Sequence, residues 1–483
     1  FIGEVLETTT THDKNGLNSA NISIVDKFTY DHAGRLLKQT QNINQQGEEL
    51  IVFNHYDELG QLIEKKVGGS DTQSDYNQTT ALQDVAYNYN IRGWLTEINK
   101  VDAPNPDQLF AFKLNYNKPE DNATTTALYN GNISETHWRS QNTHNQKRSY
   151  AYHYDALNRI KAADYLTPHA MTGLFDGELE NFSLSNITYD YNGNIMGLRR
   201  YGAKQDHSIG IIDQLDYTYQ PNSNQLKAVN DTADDEGFKD GSHKAAYDYT
   251  YDVNGNMTHD KNKAITHIDY NHLNLPTKVI FNTSGYQNRE ISYIYDATGV
   301  KLKKIVNTGT FLQDDTANLG TITHTQYDNG FIYEYSGNNS PELKFFSHPE
   351  GYLQPDNQGG FDYVYQYKDH LGNVRLSYKD NNGSLEIVEE NNYYPFGLEH
   401  KGYNNVVTSS NPALKRKYNG IELEESLGLD LYELELRLYD PAIARWNAID
   451  PVTHHSYSTY SAFDNNPVFW ADPSGADGEH YNW

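Results

Sequence analysis

Strict alternation of aromatic and polar residues runs through much of the chain. In "AAYDYTYDVNGNMTHD", positions 245–260, Tyr247, Tyr249 and Tyr251 share one parity and polar residues take the other. A period of two places the tyrosines on one face of a β-strand. The run then breaks at Asp252-Val-Asn-Gly255, and Met257 restarts an apolar-polar pattern. Asp supplies a side-chain acceptor for turn backbone, and Gly supplies the positive φ that closes a tight bend. The stretch therefore predicts a β-hairpin.

The same unit recurs: Tyr30 to Gly34 and Leu36, Tyr56 to Gly60 and Leu62, Tyr89 to Gly93 and Leu95, Tyr189 to Gly193 and Ile195, and Tyr295 to Gly299. In the copies at Tyr154 and Tyr270, Asn158 and Asn274 stand where glycine stands elsewhere. Asn is the next most tolerant residue in the left-handed region. Looser copies begin at Tyr129, Tyr219 and Tyr367. The spacing is irregular, which marks a degenerate repeat with insertions. Segments 101–149, 229–245 and 308–323 interrupt the pattern, are rich in Asn, Asp, Thr and Gly, and are expected to be surface insertions. "DVNGN" and "DYNGN" lack the later Gly and bidentate Glu of a calcium loop, so turn chemistry is the better reading.

About ten hairpins imply about twenty strands, and open twisted sheets rarely exceed ~10 without curling or splitting. A sheet that spirals and closes on itself solves both that problem and the problem of free edges. A propeller would want a steadier period. The expected fold is thus all-β, a spiralling antiparallel sheet of hairpins around a hollow. Composition agrees. Of 483 residues 40 are Tyr, against 17 Phe and 5 Trp, and hydrophobic residues make up only 37%. Tyr suits a half-buried sheet surface, because its ring packs while its hydroxyl stays hydrated or paired. So many aromatics also argue against disorder.

A formal charge of −27 disfavours nucleic acid and anionic membrane as partners of the shell. No run of 18 apolar residues offers a membrane-spanning helix. There is no cysteine, hence no disulfide or thiolate metal site. No cofactor and no metal are expected. His454-His455 has no third ligand at a suitable spacing. Trp94, Trp138, Trp446 and Trp470 read as packing anchors. The chain starts mid-pattern at Phe1, without Met, and is expected to be a piece of something longer.

From about Tyr363 the character changes. The ordered strings "DHLGNVR", "YYPFG", "YNGIELEESLGLDLYELELRLYDPAIARW", "NNP" and "DPSG" resemble the RHS-repeat-associated core, and the upstream units resemble RHS or YD repeats. That resemblance implies a cocoon-like shell (1–362), a core domain that plugs it (363–475), and the start of a variable segment (476–483). It further implies an encapsulating shell of a secreted or surface-displayed bacterial polymorphic toxin. Its partner would be its own C-terminal toxin or cargo, with secretion machinery or an immunity protein as further partner classes. The alternative is a cell-surface adhesin that binds glycan or protein through the shell exterior.

Members of this family can cut themselves after the core domain with an aspartate pair and an arginine. Asp450-Pro451 and Asp472-Pro473-Ser474-Gly475 match the family's two Asp-Pro motifs and their spacing, and Arg437 matches its arginine; Arg445 is a second candidate. The cut is then expected at Ala476–Asp477. Two carboxylates held close share a proton, so one can act as base and the other as acid. Thr453 and Ala476 depart from the family's Gly and Leu. Two readings stand: a single-turnover autoprotease, or aspartates that only cap turns ahead of proline. The glutamates of "ELEESLGLDLYELELRLYD", a strand rather than a helix by its partial alternation, are expected on a solvated face.

Overall fold

The computed structural model describes residues 3–14, 21–120, 125–143, 145–167, 180–240, 247–311, 320–356, 358–402, 407–452, 457–476 and 478. Among them there is no α-helix. Fifteen strands, from Glu7–His12 to Leu226–Asp231, pair strictly in chain order. Thirteen more, from Tyr249–Tyr251 to Ser384–Glu390, form a second sheet in the same manner. All the ladders are antiparallel. The two sheets are tied at one seam: Asp248 N–H donates to Lys227 O (2.8 Å), and its carboxylate accepts from Val229 N–H (3.0 Å). The result is one long ribbon of hairpins, not a set of blades.

The predicted bend forms as the residues dictate. At Asp252 the carboxylate Oδ1 accepts from the N–H groups of Asn254 and Asn256, both at 2.9 Å. Gly255 N–H donates to Asp252 O (3.1 Å), with φ of +81° at the glycine. The same pattern holds at Asp31, Asp57, Asp155, Asp190 and Asp296. Asn158 and Asn274 take the glycine's place at φ of 63° and 60°. One residue before each of these aspartates the register slips by one, so each bend ends in a bulge.

The tyrosines have a specific task. The hydroxyl of the Tyr that precedes each bend donates to the carbonyl of the apolar residue that restarted the previous hairpin. Tyr56 reaches Leu36 O (2.9 Å), Tyr89 reaches Leu62 O (2.9 Å), Tyr189 reaches Ile160 O (2.6 Å) and Tyr270 reaches Met257 O (2.6 Å). Each ring therefore spans from one hairpin to the one before it and satisfies a carbonyl freed by the bulge. This clasp explains why the pattern demands Tyr rather than Phe.

The ribbon curls until its beginning faces its end. His12 stacks on Phe331 (3.8 Å between ring centres), Lys65 pairs with Glu350 (2.6 Å), and the Tyr365 hydroxyl donates to Glu49 (2.9 Å). Ile22, Ile24 and Ile43 pack there with Phe331, Tyr333, Phe346 and Leu353. The enclosed space receives side chains of the C-terminal segment that follows Glu390. Tyr394, Phe396, Tyr418, Tyr432, Tyr439, Trp446 and Phe463 join one apolar cluster with the sheet's Tyr87, Phe112, Trp138, Leu215 and Tyr378.

The reading of the interrupting segments as surface insertions needs correction. Segment 101–149 is not a surface insertion throughout: Phe110–Asn115 and Glu135–Ser140 are interior strands, with Phe110, Phe112, Leu114 and Trp138 buried. Phe238, in segment 229–245, is buried too. Polar composition misleads there because hydrogen-bonded groups, such as Asn115 to Glu135 (2.8 Å), accompany those rings inside. Parts of all three segments lie outside the described residues. Trp138 and Trp446 are buried, as packing anchors should be.

Candidate functional site

Three short strands, Leu431–Glu433, Leu438–Asp440 and Arg445–Trp446, form with Leu423–Glu424 a small antiparallel sheet in the C-terminal segment. Arg437 sits in the hairpin that opens Leu438–Asp440. Its guanidinium lies over the Trp446 ring (4.2 Å), which fixes its plane and shields it from water. Arg437 Nη2 donates to Asp450 Oδ2 (2.9 Å) and lies 3.5 Å from Asp472 Oδ2. Both carboxylates thus meet on one nitrogen. The three residues proposed from sequence come together.

The backbone ahead of the expected cut is held by the same groups. Arg437 Nε donates to Gly475 O (2.5 Å), and Leu436 N–H donates to Ser474 O (3.1 Å). Asp472 Oδ1 accepts from the N–H of Gly475 (2.7 Å) and of Ala476 (3.0 Å). Asp450 Oδ1 accepts from Val452 N–H (2.8 Å). Each aspartate uses one oxygen to close its turn and turns the other toward Arg437. The turn role and the paired-carboxylate role are therefore compatible. Burial pushes the Asp472 carboxyl above its ordinary range; Arg437 and the two N–H donors pull the other way, and Asp450 adds to the rise. Thr453, His454, His455 and Asp477 lie outside the described residues.

Arg445 does not join this group. It donates to Asn224 O (2.8 Å), the Tyr219 hydroxyl (3.1 Å) and Asn194 Oδ1 (3.3 Å), all in the ribbon. It belongs to a seam that sequence reasoning missed. In an ordered meander alternate turns fall on one rim, and the C-terminal segment is seated on that rim. Ser458 N–H donates to Asn192 O (2.7 Å), Asn465 Nδ2 to Gly193 O (2.9 Å), and the Tyr460 hydroxyl to Gly255 O (2.8 Å). A Cβ on Gly255 would stand 2.3 Å from Ile449 Cδ1. Glycine thus serves both the bend and the close approach of the plug.

The glutamates of the "ELEESLGLDLYELELRLYD" stretch correct a second expectation. Glu422, Glu424 and Glu433 are not on a solvated face. They converge around Lys304, which pairs with Glu422 (2.5 Å), Glu424 and Glu433 (3.3 Å), while Lys301 pairs with Glu433 (2.5 Å). The carboxylate oxygens lie close enough to hold a cation, and the lysine ammonium takes that place. Both lysines come from the Lys301–Asn307 strand, so this cluster ties the plug to the second sheet. The two strands carrying these partners are more than a hundred residues apart, which is why the alternation alone suggested solvent.

No protein-family model matches the chain. It is 25% identical over 327 residues to salivary gland surface protein 1 of Aedes aegypti, across 63% of this chain and 8% of that protein. Among solved structures, the Photorhabdus luminescens Tc holotoxin pore matches with a TM-score of 0.66 and 17% identity, covering 98% of this chain and 21% of that one. The TcdB2-TccC3 crystal structure matches with a TM-score of 0.66 and 18% identity, covering 98% and 24%. The chain spans under a quarter of the length of either solved chain. The chain shares the fold of these solved chains, and as expected it is all-β, a spiralling antiparallel ribbon.

Proposed function

We propose that the chain is the plugged end of an encapsulating shell from a secreted or surface-displayed bacterial toxin, whose cargo follows the C-terminal segment. Residues 1–362 act as wall, 363–475 complete that wall with strands up to Ser384–Glu390 and then supply the plug, and the segment from 476 leads to the cargo. The seating of Arg445, Tyr460 and Asn465 on the bend rim supports this reading most directly, since it closes the ribbon with the segment that precedes the cargo. The likeness in fold to the Photorhabdus luminescens Tc holotoxin pore agrees with this reading.

The plug also cuts its own chain once, at Ala476–Asp477. Asp450, ion-paired to Arg437, takes a proton from water as the oxygen attacks the Ala476 carbonyl carbon. Asp472, whose burial favours its protonated form, gives its proton to the departing Asp477 nitrogen. The C–N bond breaks, leaving a carboxylic acid on Ala476 and an amine on Asp477, with Asp450 now protonated and Asp472 ionised. To test this, a reporter domain is fused after Trp483 and the product is weighed by mass spectrometry. Wild type should yield a fragment beginning at Asp477, and D472N, D450N and R437M should remain intact. An intact wild-type product, or cutting that survives D472N, would refute the processing step but leave the shell role standing.

One observation favours the adhesin reading. Ile91, Tyr191 and Val253 stand fully exposed at the tips of three bends on the same rim. Binding of the chain to intact cells, lost in an I91N/Y191N/V253N variant, would support it over encapsulation.

A further inference from the structure

The structure holds a cavity of about 310 Å³ where both sheets and the plug meet. The strands Leu62–Val67, Gln83–Tyr89, Phe361–Lys368 and Val374–Asn381 wall it, and the backbone of Asn419 and Gly420 closes one side. Its surface is divided. Val67, Val85 and Ile98 are apolar and buried, and Tyr87, Tyr367 and Tyr378 present their rings. The charged side carries Lys65, Glu350 and Lys368.

These charges do not balance. Lys65 and Glu350 neutralise one another at 2.6 Å. Lys368 is partly buried and lines the cavity, yet its amine makes no hydrogen bond or ion pair among the described residues. Burial pulls its amine below the ordinary lysine range; Glu350 opposes this, and the cations Lys65 and Arg416 add to the pull. A buried ammonium without a partner is costly, and an entering anion would relieve that cost. The Tyr367 hydroxyl is committed to Gln83 (2.7 Å), and that of Tyr87 is engaged by Lys65.

We propose that this cavity is a binding site for a small organic carboxylate, whose anionic end pairs with Lys368 and whose flat apolar part lies among Tyr87, Tyr367 and Tyr378. The volume is at the low end for a ligand pocket and fits one ring with one acidic group. A bare oxyanion would leave the aromatic wall uncovered, and an amine would meet Lys368 with like charge. The site exists only in the folded chain, because its walls come from residues about 350 positions apart (Lys65 to Gly420).

The probe is benzoate, titrated into the complete chain by calorimetry near pH 7, with inorganic phosphate and benzylamine as comparators. Benzoate should bind saturably at one site, and benzylamine should not bind there. K368M should weaken benzoate by ~10-fold or more, the worth of one charge-assisted hydrogen bond. K368R should retain binding, and E350Q should tighten it by removing the opposing charge. Absence of saturable benzoate binding, or unchanged affinity in K368M, overturns the proposal; phosphate binding as tightly as benzoate overturns the part assigned to the tyrosines. If K368M fails to fold, E350Q decides: no tightening overturns the site.

Discussion

A single hydroxyl and a single missing methyl carry much of this architecture. Tyr189 differs from phenylalanine only by the oxygen that donates to Ile160 O at 2.6 Å. Removing it leaves a carbonyl at the bulge unpaired, so Y189F should lower stability by about 1 kcal/mol. Denaturant midpoints at fixed slope would measure it, and hydrogen exchange should report the loss locally, in Leu184–Tyr189 and Ile160–Leu166. Gly255 is under two constraints at once. Its φ of +81° is strained for any residue with a Cβ, and Ile449 occupies the space that a methyl would need. G255A should therefore cost about 2–3 kcal/mol, more than strain alone. Alanine at Gly330, with φ of +89° and open space around it, is the control, and it should cost about 1–2 kcal/mol. Equal losses at the two positions would refute the idea that the plug presses on the rim at Gly255.

Between elements, charge does work that the apolar residues do not. The strand Lys301–Asn307 brings Lys304 into three glutamates of the plug, with the lysine and Glu424 withdrawn from water. Lys304 is held far above its ordinary pKa: burial alone would lower it, but Glu422 and Glu433 outweigh that. Removing the ammonium takes away the one cation shared by all three carboxylates and leaves, among the described residues, only Lys301, on Glu433 and 3.6 Å from Glu422, and Lys415, 3.6 Å from Glu424. K304M should destabilise the chain by about 3–5 kcal/mol. A K304M/E424L variant, which removes the most buried glutamate as well, should recover part of the loss. Thermal melts of the two variants check this, and no recovery would point to lost packing instead. Alternation in "ELEESLGLDLYELELR" yields two short strands, Leu423–Glu424 and Leu431–Glu433, around a tight turn at Ser426–Gly428, yet it cannot tell water from a distant lysine as the partner of a charged face.

For the whole molecule, acidity is unevenly stored. Asp260 lies between the second sheet and the plug, beside Lys263, which pairs with Asp440 (3.3 Å). Burial pushes Asp260 up to about 7. The ordinary carboxyl titrates near ~4 in the unfolded chain. Between those values the folded state binds more protons than the unfolded state, so this group's contribution to stability falls as pH rises from about 4 to about 7. Buried histidines act oppositely: burial lowers His348 to about 4, so its contribution rises with pH from about 4 to ~6.5. The clean readout is therefore the difference between wild type and D260N. That difference should shift toward the variant as pH is raised from 5 to 8. A flat difference curve would mean that Asp260 is already ionised throughout.

The bend, its bulge and the strand on either side are decided within seven consecutive residues, because a side-chain acceptor and a positive-φ residue act on their own backbone. That is why each hairpin is legible from a unit such as Tyr30, Asp31, Gly34 and Leu36, and the curl of the ribbon follows only from how many such units the chain repeats. Asp450 and Asp472 could be proposed together only through the resemblance of their Asp-Pro motifs to the family's, and both belong to one short C-terminal stretch. Other features depend on which distant strands become neighbours: the rim seat of Arg445, the burial of Phe110 and Trp138, and the lysine inside the glutamate cluster. Closing the ribbon sets those contacts, and no local rule encodes them, because hydrogen bonds and ion pairs between remote segments have no periodicity along the chain.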